Sequence, residues 1–312
     1  MSDRILILGA AGRLGYAAAE SFRDAGWTVV SLVRRGAGER AALGTEIVEA
    51  DALDREAVTN AARNADVVLH ALNPVYTAWR RLALPLAYAA IEAAETAGAT
   101  LMFPGNVYNF GSAMPAMLDA TTPMQPTSRK GRLRVEIEQR MREASERGVQ
   151  TVILRAGDFY GGGRGSWFDL VLTRDLRRRR ITYPGPLDVV HPWAYVPDVA
   201  ATMVRLAEVR ATLPGFASFG FPGHAVTGAE MGSAIAAALR ERFQVKRMEW
   251  WLIKTFGRLS ALGRELAEIE YLWRTPHRLS GETLTAAIGD VPHTPFADAV
   301  AASLRELAYR LE

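Results

Sequence analysis

The 312-residue chain contains no cysteine. Disulfides, thiolate catalysis and cysteine-built metal sites are therefore excluded, and no metal site is expected. Lysine is scarce: Lys130, Lys246 and Lys254 are the whole set, and the other basic residues are arginines. No apolar run approaches the ~18 residues that a membrane span needs. The first apolar run is too short for a signal peptide and flows straight into a glycine turn. These absences imply a soluble, cytoplasmic protein with no membrane attachment. Charge of one sign is also lacking, with 37 basic against 34 acidic residues and a net charge of +3. The pI of about 9.3 reflects that small excess within an arginine- and alanine-rich composition, so no nucleic-acid partner is inferred. No internal repeat or low-complexity tail is visible.

What is present begins at once. Arg4-Ile5-Leu6-Ile7-Leu8 is a strand-like run. Gly9-Ala10-Ala11-Gly12-Arg13-Leu14-Gly15 follows, and Tyr16 to Ala25 reads as a helix stopped by Gly26. Strand, glycine turn and helix in that order form the opening of a dinucleotide-binding unit. Glycines let the backbone turn sharply and let a pyrophosphate come close. The helix N-terminus offers it unpaired N–H groups and a positive dipole end.

The spacing is G-x-x-G-x-x-G. With its position between an N-terminal strand and a helix, it resembles the extended or atypical branch of the short-chain dehydrogenase/reductase superfamily, the epimerase/dehydratase-like and NmrA-like proteins. The resemblance implies that Gly9, Gly12, Arg13, Leu14 and Gly15 cradle the cofactor. Trp27 to Val33 reads as a second strand, and Arg34 and Arg35 stand at its end with no carboxylate before Glu39. An acidic residue there suits the ribose 2′-hydroxyl of NAD, and arginines suit a 2′-phosphate. Arg34, Arg35 and Arg13 around one phosphate favour NADP(H) over NAD(H). The plainer alternative is a set of solvated surface arginines. A third strand runs from Thr45 to Ala50. After it, the resemblance puts Asp51 and Ala52 at the adenine, while Asp51 also suits a local helix cap.

Asp54 to Ala62 reads as a helix, and Ala65 to Leu72 as a strand apolar enough to be buried on both faces. In the resembled family the segment after it, with His70, Ala71 and Asn73, passes beneath the cofactor riboses. His70 itself reads as packing rather than as an acid. Thr77 to Ala97 is mainly helical, with Pro85 either a kink or the first residue of a second part. The family often dimerises through this helix and the one after the next strand, so a homodimer is allowed. Thr100 to Pro104 is the fifth strand, followed by Gly105-Asn106-Val107-Tyr108 and a long turn from Asn109 to Ser128. Arg129 to Arg147 is a charged helix, and Gln150 to Arg155 is the sixth strand. Strands alternating with helices predict an α/β fold with a doubly wound parallel sheet of five or six strands.

Beyond Ala156 the texture changes. Gly157 to Gly163 reads as a flexible turn, Arg177 to Arg180 as a solvated helix end, and the segment from His191 to Ala200 resembles the family's return to the cofactor domain. The expected division is residues 1–156, with 190–208 returning, as the NADP-binding domain. Residues 157–312 are mainly a smaller C-terminal substrate lobe.

The superfamily's usual catalyst is a Tyr four residues before a Lys, with a Ser or Thr after the fifth strand. A free tyrosine has a pKa of about 10, and a cation one helical turn away lowers it. No tyrosine in this chain has a lysine at that spacing. If Glu138 matches the acidic residue after the family lysine, Lys130 takes the tyrosine position and Arg134 the lysine position. Gly105 or Asn106 then takes the serine position. Three readings follow. Lys130 is the proton donor, its pKa depressed by Arg134, with Asn106 orienting a substrate oxygen. Alternatively Tyr108, Tyr160 or Tyr195 is the acid. In the third reading no hydride chemistry occurs, and the protein is an NADP(H)-binding sensor or scaffold. The leading expectation is an NADP(H)-dependent oxidoreductase or epimerase-like enzyme acting on a carbonyl or hydroxyl of a small substrate. Trp167, Trp193, Trp250 and Trp251 suggest that this substrate is partly apolar.

Overall fold

The computed structural model describes residues 2–257 and 260–309. The run Arg4–Leu8 forms strand β1. Its side chains alternate between two cores: Ile5 and Ile7 on one face, Leu6 and Leu8 on the other. A strand buried on both faces must be apolar throughout, and its period of two deals residues to each side in turn. β2 (Thr28–Val33), β3 (Glu46–Glu49), β4 (Val67–His70), β5 (Thr100–Gly105), β6 (Thr151–Arg155) and β7 (Phe216–Gly220) complete a parallel sheet in the order β7-β6-β5-β4-β1-β2-β3.

Five helices cover the sheet: α1 (Arg13–Asp24), α2 (Arg55–Ala61), α3 (Trp79–Ala97), α4 (Arg129–Glu146) and α5 (Val196–Glu208). Leu14, Ala18 and Phe22 of α1 and Val199, Met203 and Leu206 of α5 fill the Ile5/Ile7 face. Val58 of α2, Ala87 and Ala90 of α3 and Ile137 and Met141 of α4 fill the Leu6/Leu8 face. The predicted doubly wound α/β architecture is therefore present. Strand order reverses at β1, so the crevice for a ligand opens at the carboxyl ends of β1 and β4.

Several local readings change. The helix predicted from Tyr16 starts at Arg13, because the last third of the glycine turn is already its first turn. Pro85 neither splits nor starts α3; it lies exposed inside one continuous helix. The sheet has a seventh strand, β7, supplied after the chain returns through α5. The Asn109–Ser128 stretch is not structureless. A 3-10 turn, Tyr108–Phe110, begins it, and Met117–Leu118 pairs in parallel with Arg278–Leu279. Asp158–Tyr160 is no flexible turn but a strand pairing in parallel with Val190–Tyr195. The arginine run also differs. Leu176–Arg178 is one 3-10 turn, Arg179 adopts φ 54°, and Arg180 opens a strand with its guanidinium on Asp175.

Candidate active site

The floor of the site is the glycine turn. Gly9 has φ +86°, a left-handed conformation that favours glycine. A Cβ on Gly15 would stand 2.2 Å from the Gly9 carbonyl oxygen, so α1 can approach β1 this closely only without a side chain there. Gly12 is the N-cap of α1, no side chain caps the helix, and its first turn holds no acidic residue. Its leading N–H groups are thus left for an exogenous anion. This cradle fits the pyrophosphate of a dinucleotide. Leu14 is buried beneath it, and Ala71 backs Gly9 with its carbonyl about a Cβ contact away.

On the adenosine side, Arg34 and Arg35 are exposed after β2. Glu49 reaches the same loop, accepting hydrogen bonds from the N–H groups of Gly36 and Gly38, both at 3.0 Å. Asp51 accepts from Leu53 N at 3.0 Å, a local turn bond, beside buried Ala52. Arg13 does not lean toward Arg34 and Arg35. Its guanidinium donates to the Gly161 carbonyl at 3.4 Å. Burial lowers its pKa, while Asp169, Asp158, Tyr76 and Glu306 work the other way.

The opposite side is built from the ends of β4, β5 and β6. His70 is buried and stacked on Phe103 at 5.2 Å. Burial, then the charge of Arg134, pushes its pKa down to about 3. It is packing, as expected, and no acid. Arg134 is half-buried between Trp79 and Phe103, its guanidinium 4.8 and 5.0 Å from the two rings. It donates to Pro104 O at 3.4 Å, and its Nε has no hydrogen-bond partner among the described residues. A small cavity joins Arg134 to His70 and Asn73. Arg134 and the segment after β4 thus line one cavity.

Tyr108 and Tyr76, from the turns after β5 and β4, join hydroxyls at 2.9 Å. Burial raises both; Tyr76 reaches about 12, with the charge of Asp158 adding to the shift. Asn106 accepts from Tyr108 N at 3.1 Å and so holds this turn. Gly105 leaves no room for a serine, because its Cβ would sit 2.7 Å from Arg155 Cγ and 3.0 Å from Ile153. Gly131 has the same role on α4, where a Cβ would meet Tyr108 O at 2.4 Å.

Lys130 is not free to serve as an acid. Its ammonium is buried and paired with Glu265 and, at 3.0 Å, with Glu268, both from the C-terminal segment. Tyr160 is fully buried and bonded at 2.9 Å to His224 Nδ1, and its pKa is lifted far above the ordinary value by burial. Tyr195 packs against it at 5.4 Å and is raised to about 12, again first by burial.

The sequence reading missed Asp158 and His191. His191 is buried; its Nε2 lies 2.8 Å from Asp158 Oδ2, its Nδ1 3.3 Å from Leu272 O, and its ring stacks 4.0 Å from Trp273. Their sequence positions lie more than thirty residues apart and carry no shared signal. Only the pairing of Trp193 with Asp158 in the small sheet brings them together. Among the described residues, no group of three or more His, Asp or Glu could hold a metal.

A parallel sheet reversing at β1, an uncapped glycine-rich helix start and a polar cluster over the β4–β6 ends define a nicotinamide-dinucleotide-binding protein of the extended short-chain dehydrogenase/reductase type. The model of the NAD dependent epimerase/dehydratase family matches residues 5–215, and the chain belongs to that family, among NAD(P)-dependent oxidoreductases and epimerases. A curated relative, the 3-diazoavenalumate denitrifying reductase of a Streptomyces species, is 26% identical over 303 residues, covering 88% of this chain and 96% of that protein. The fold is shared with MoeE5 in complex with UDP-glucose and NAD (TM-score 0.76, 19% identity, 98% and 99% of the two chains). It is also shared with dTDP-glucose 4,6-dehydratase from Bacillus anthracis in complex with NAD (TM-score 0.77, 12% identity, 98% and 97%). Among the described residues, no helix is long and apolar enough to cross a membrane.

Proposed function

We propose that the protein is a cytoplasmic NADP(H)-dependent oxidoreductase for a small, partly apolar carbonyl or hydroxyl compound, working without the Tyr–Lys pair. The observation that carries this reading is the convergence of an open anion cradle at Gly9–Gly15 with Arg134, Tyr76, Tyr108 and Asp158 over successive strand ends. Residues 1–156, with 190–208, hold the cofactor, and 157–312 supply most of the substrate lobe. Gly9, Gly12, Leu14 and Gly15 take the pyrophosphate, Asp51 and Ala52 the adenine, and Ala71, Asn73 and Arg134 the nicotinamide ribose. Arg34 and Arg35 favour the 2′-phosphate. A bound nicotinamide supplies or accepts the hydride. In the chain itself, the bonded hydroxyls of Tyr76 and Tyr108 orient the substrate oxygen by hydrogen bonding. Asn106 fixes that turn, and the rings of Tyr76, Trp79 and Tyr108 exclude water. The reductase named among the relatives supports oxidoreduction over epimerisation.

The test is NADPH and NADH binding by calorimetry, followed by NADPH oxidation with a panel of carbonyl compounds and a diazo compound. Tighter NADPH binding that is weakened about tenfold by Arg34→Ala with Arg35→Ala, and turnover lowered by Tyr108→Phe, are expected. Equal affinity for both cofactors would overturn the NADP preference. The fixed ion pairs of Lys130 favour a second reading, a cofactor-binding regulator without turnover. That reading gains if NADPH binds but no panel member is reduced. A homodimer through α3 and α4 is part of the proposal; a monomer by analytical ultracentrifugation would remove it.

A further inference from the structure

His191 is held between two acceptors. The Leu272 carbonyl and an ionised Asp158 can only accept, so His191 donates to them from whichever ring nitrogens carry hydrogen. In every arrangement that keeps the Asp158 bond, a hydrogen sits on the 2.8 Å line between Nε2 and Oδ2. Stacking on Trp273 and the bond to Leu272 fix the ring. Asp158 is the exposed end of the pair. Its side chain keeps 17% of its surface against 2% for His191, and Oδ2 is the oxygen that His191 engages.

That end lies on the strand that follows β6, and Gly161, three residues further on, accepts from Arg13 of the glycine turn at 3.4 Å. Tyr76, Tyr108 and Tyr183 all feel its charge as an upward push, and Arg13 feels it as a stabilising neighbour. His277 is the other titratable group against His191, with ring centres 5.4 Å apart. Burial and His191 push its pKa down to about 3, so it stays neutral.

We propose that Asp158, backed by His191, is the proton donor of the site, and that its acceptor is an uncharged carbonyl compound rather than a phosphorylated one. This rests on the oxidoreductase reading above. A bound reduced nicotinamide would supply the hydride to the carbonyl carbon and end oxidised. The C=O π pair would move onto oxygen, and that oxygen would take the proton of the Asp158–His191 pair through Asp158. The carbonyl is reduced to an alcohol. The pair, left as carboxylate and neutral imidazole, recovers a proton from water. Asp158 is then the catalytic residue and His191 the positioning residue. A carboxylate here also repels a substrate diphosphate.

The first experiment is on the ligand-free protein, by proton NMR with 15N-labelled histidine. A slowly exchanging downfield proton tied to His191 Nε2 in the wild type, lost in Asp158→Asn, is expected. Its absence at neutral pH in a folded wild type would overturn the proposal. The second uses any carbonyl substrate found. Asp158→Asn should lower kcat by about 10² or more, leave NADPH affinity within twofold, and abolish the alkaline fall of the rate. His191→Gln should give an intermediate loss with a displaced pH profile. Full activity of Asp158→Asn would overturn the proposal and leave the oxidoreductase reading standing. Uridine diphosphate inhibiting the wild type more strongly than Asp158→Asn would overturn the substrate class. If the wild type reduces no carbonyl at all, the function fails as well, while the NMR result still decides whether the pair holds its proton.

Discussion

Arg134 is a half-buried cation that meets a carbonyl and two aromatic faces, with Glu138 four residues on already committed to Arg155 at 2.6 Å. Burying a charge without a dedicated partner is costly, and replacing it by an apolar group of similar volume is often neutral or stabilising. Arg134→Met should therefore unfold at an unchanged or higher temperature, yet bind NADPH about tenfold more weakly, the size of one lost charged hydrogen bond. A lower melting temperature with intact affinity would make Arg134 a structural residue. His70 and His277 give a second consequence at this scale. Each is held neutral down to about pH 3, first by burial and then by Arg134 or His191 respectively. Unfolded, each takes up a proton near pH 6.5. The unfolded chain thus binds more protons between these values, and stability present at pH 7 falls as pH drops through 6.5. The two together should cost about 3–4 kcal/mol between pH 7 and pH 5. Urea unfolding at both values checks this, and His70→Leu should remove about half of the dependence. An unaltered dependence in that variant would count against it.

At the scale of elements, α4 is tied at its N-terminus from two directions. Ser128 Oγ accepts from Gly131 N at 3.0 Å, and Glu268 accepts from the N–H groups of Arg129 and Lys130 while pairing with the Lys130 ammonium. Removing one charge of this group leaves a buried ammonium under-satisfied. Glu268→Gln should cost about 1–3 kcal/mol and speed amide exchange across Ala261–Ala267, leaving β1 and α1 protected. Uniform exchange over the whole chain would contradict a local tie. This tie also explains how far the sequence could be read. β1 to β6 and α1 to α4 announce themselves because their signals are local: two-face apolar runs and glycine stops at Gly26 and Gly98. Lys130 reads as one of several candidate acids in the sequence, because its partners Glu265 and Glu268 lie far along the chain. Asp158 looked like part of a flexible glycine turn, because its strand exists only through pairing with Val190–Tyr195. Arg13 has a partner in Gly161, nearly 150 residues away, which its own neighbourhood in the sequence does not announce. Long-range partners, not local propensity, decide the upper half of the site.

For the whole molecule, an open cradle formed from β1 and α1 means that cofactor binds the folded chain and not the unfolded one. A ligand at a hundred times its Kd stabilises by about 2.7 kcal/mol, which for a chain of this size raises Tm by about 4 °C. NADPH should do so at lower concentration than NADH in a thermal scan, and no shift with either would refute dinucleotide binding. The short pairing of Met117–Leu118 with Arg278–Leu279 has a wider reach than its two residues suggest. It stitches the turn that follows β5, and with it Tyr108, to a stretch near the chain's far end. The roof of the site is therefore woven from segments that are distant in sequence. Grafting one loop from a relative would cut such a seam, so new substrate preferences in this lineage should arise from scattered, jointly compatible changes rather than from exchange of a single module.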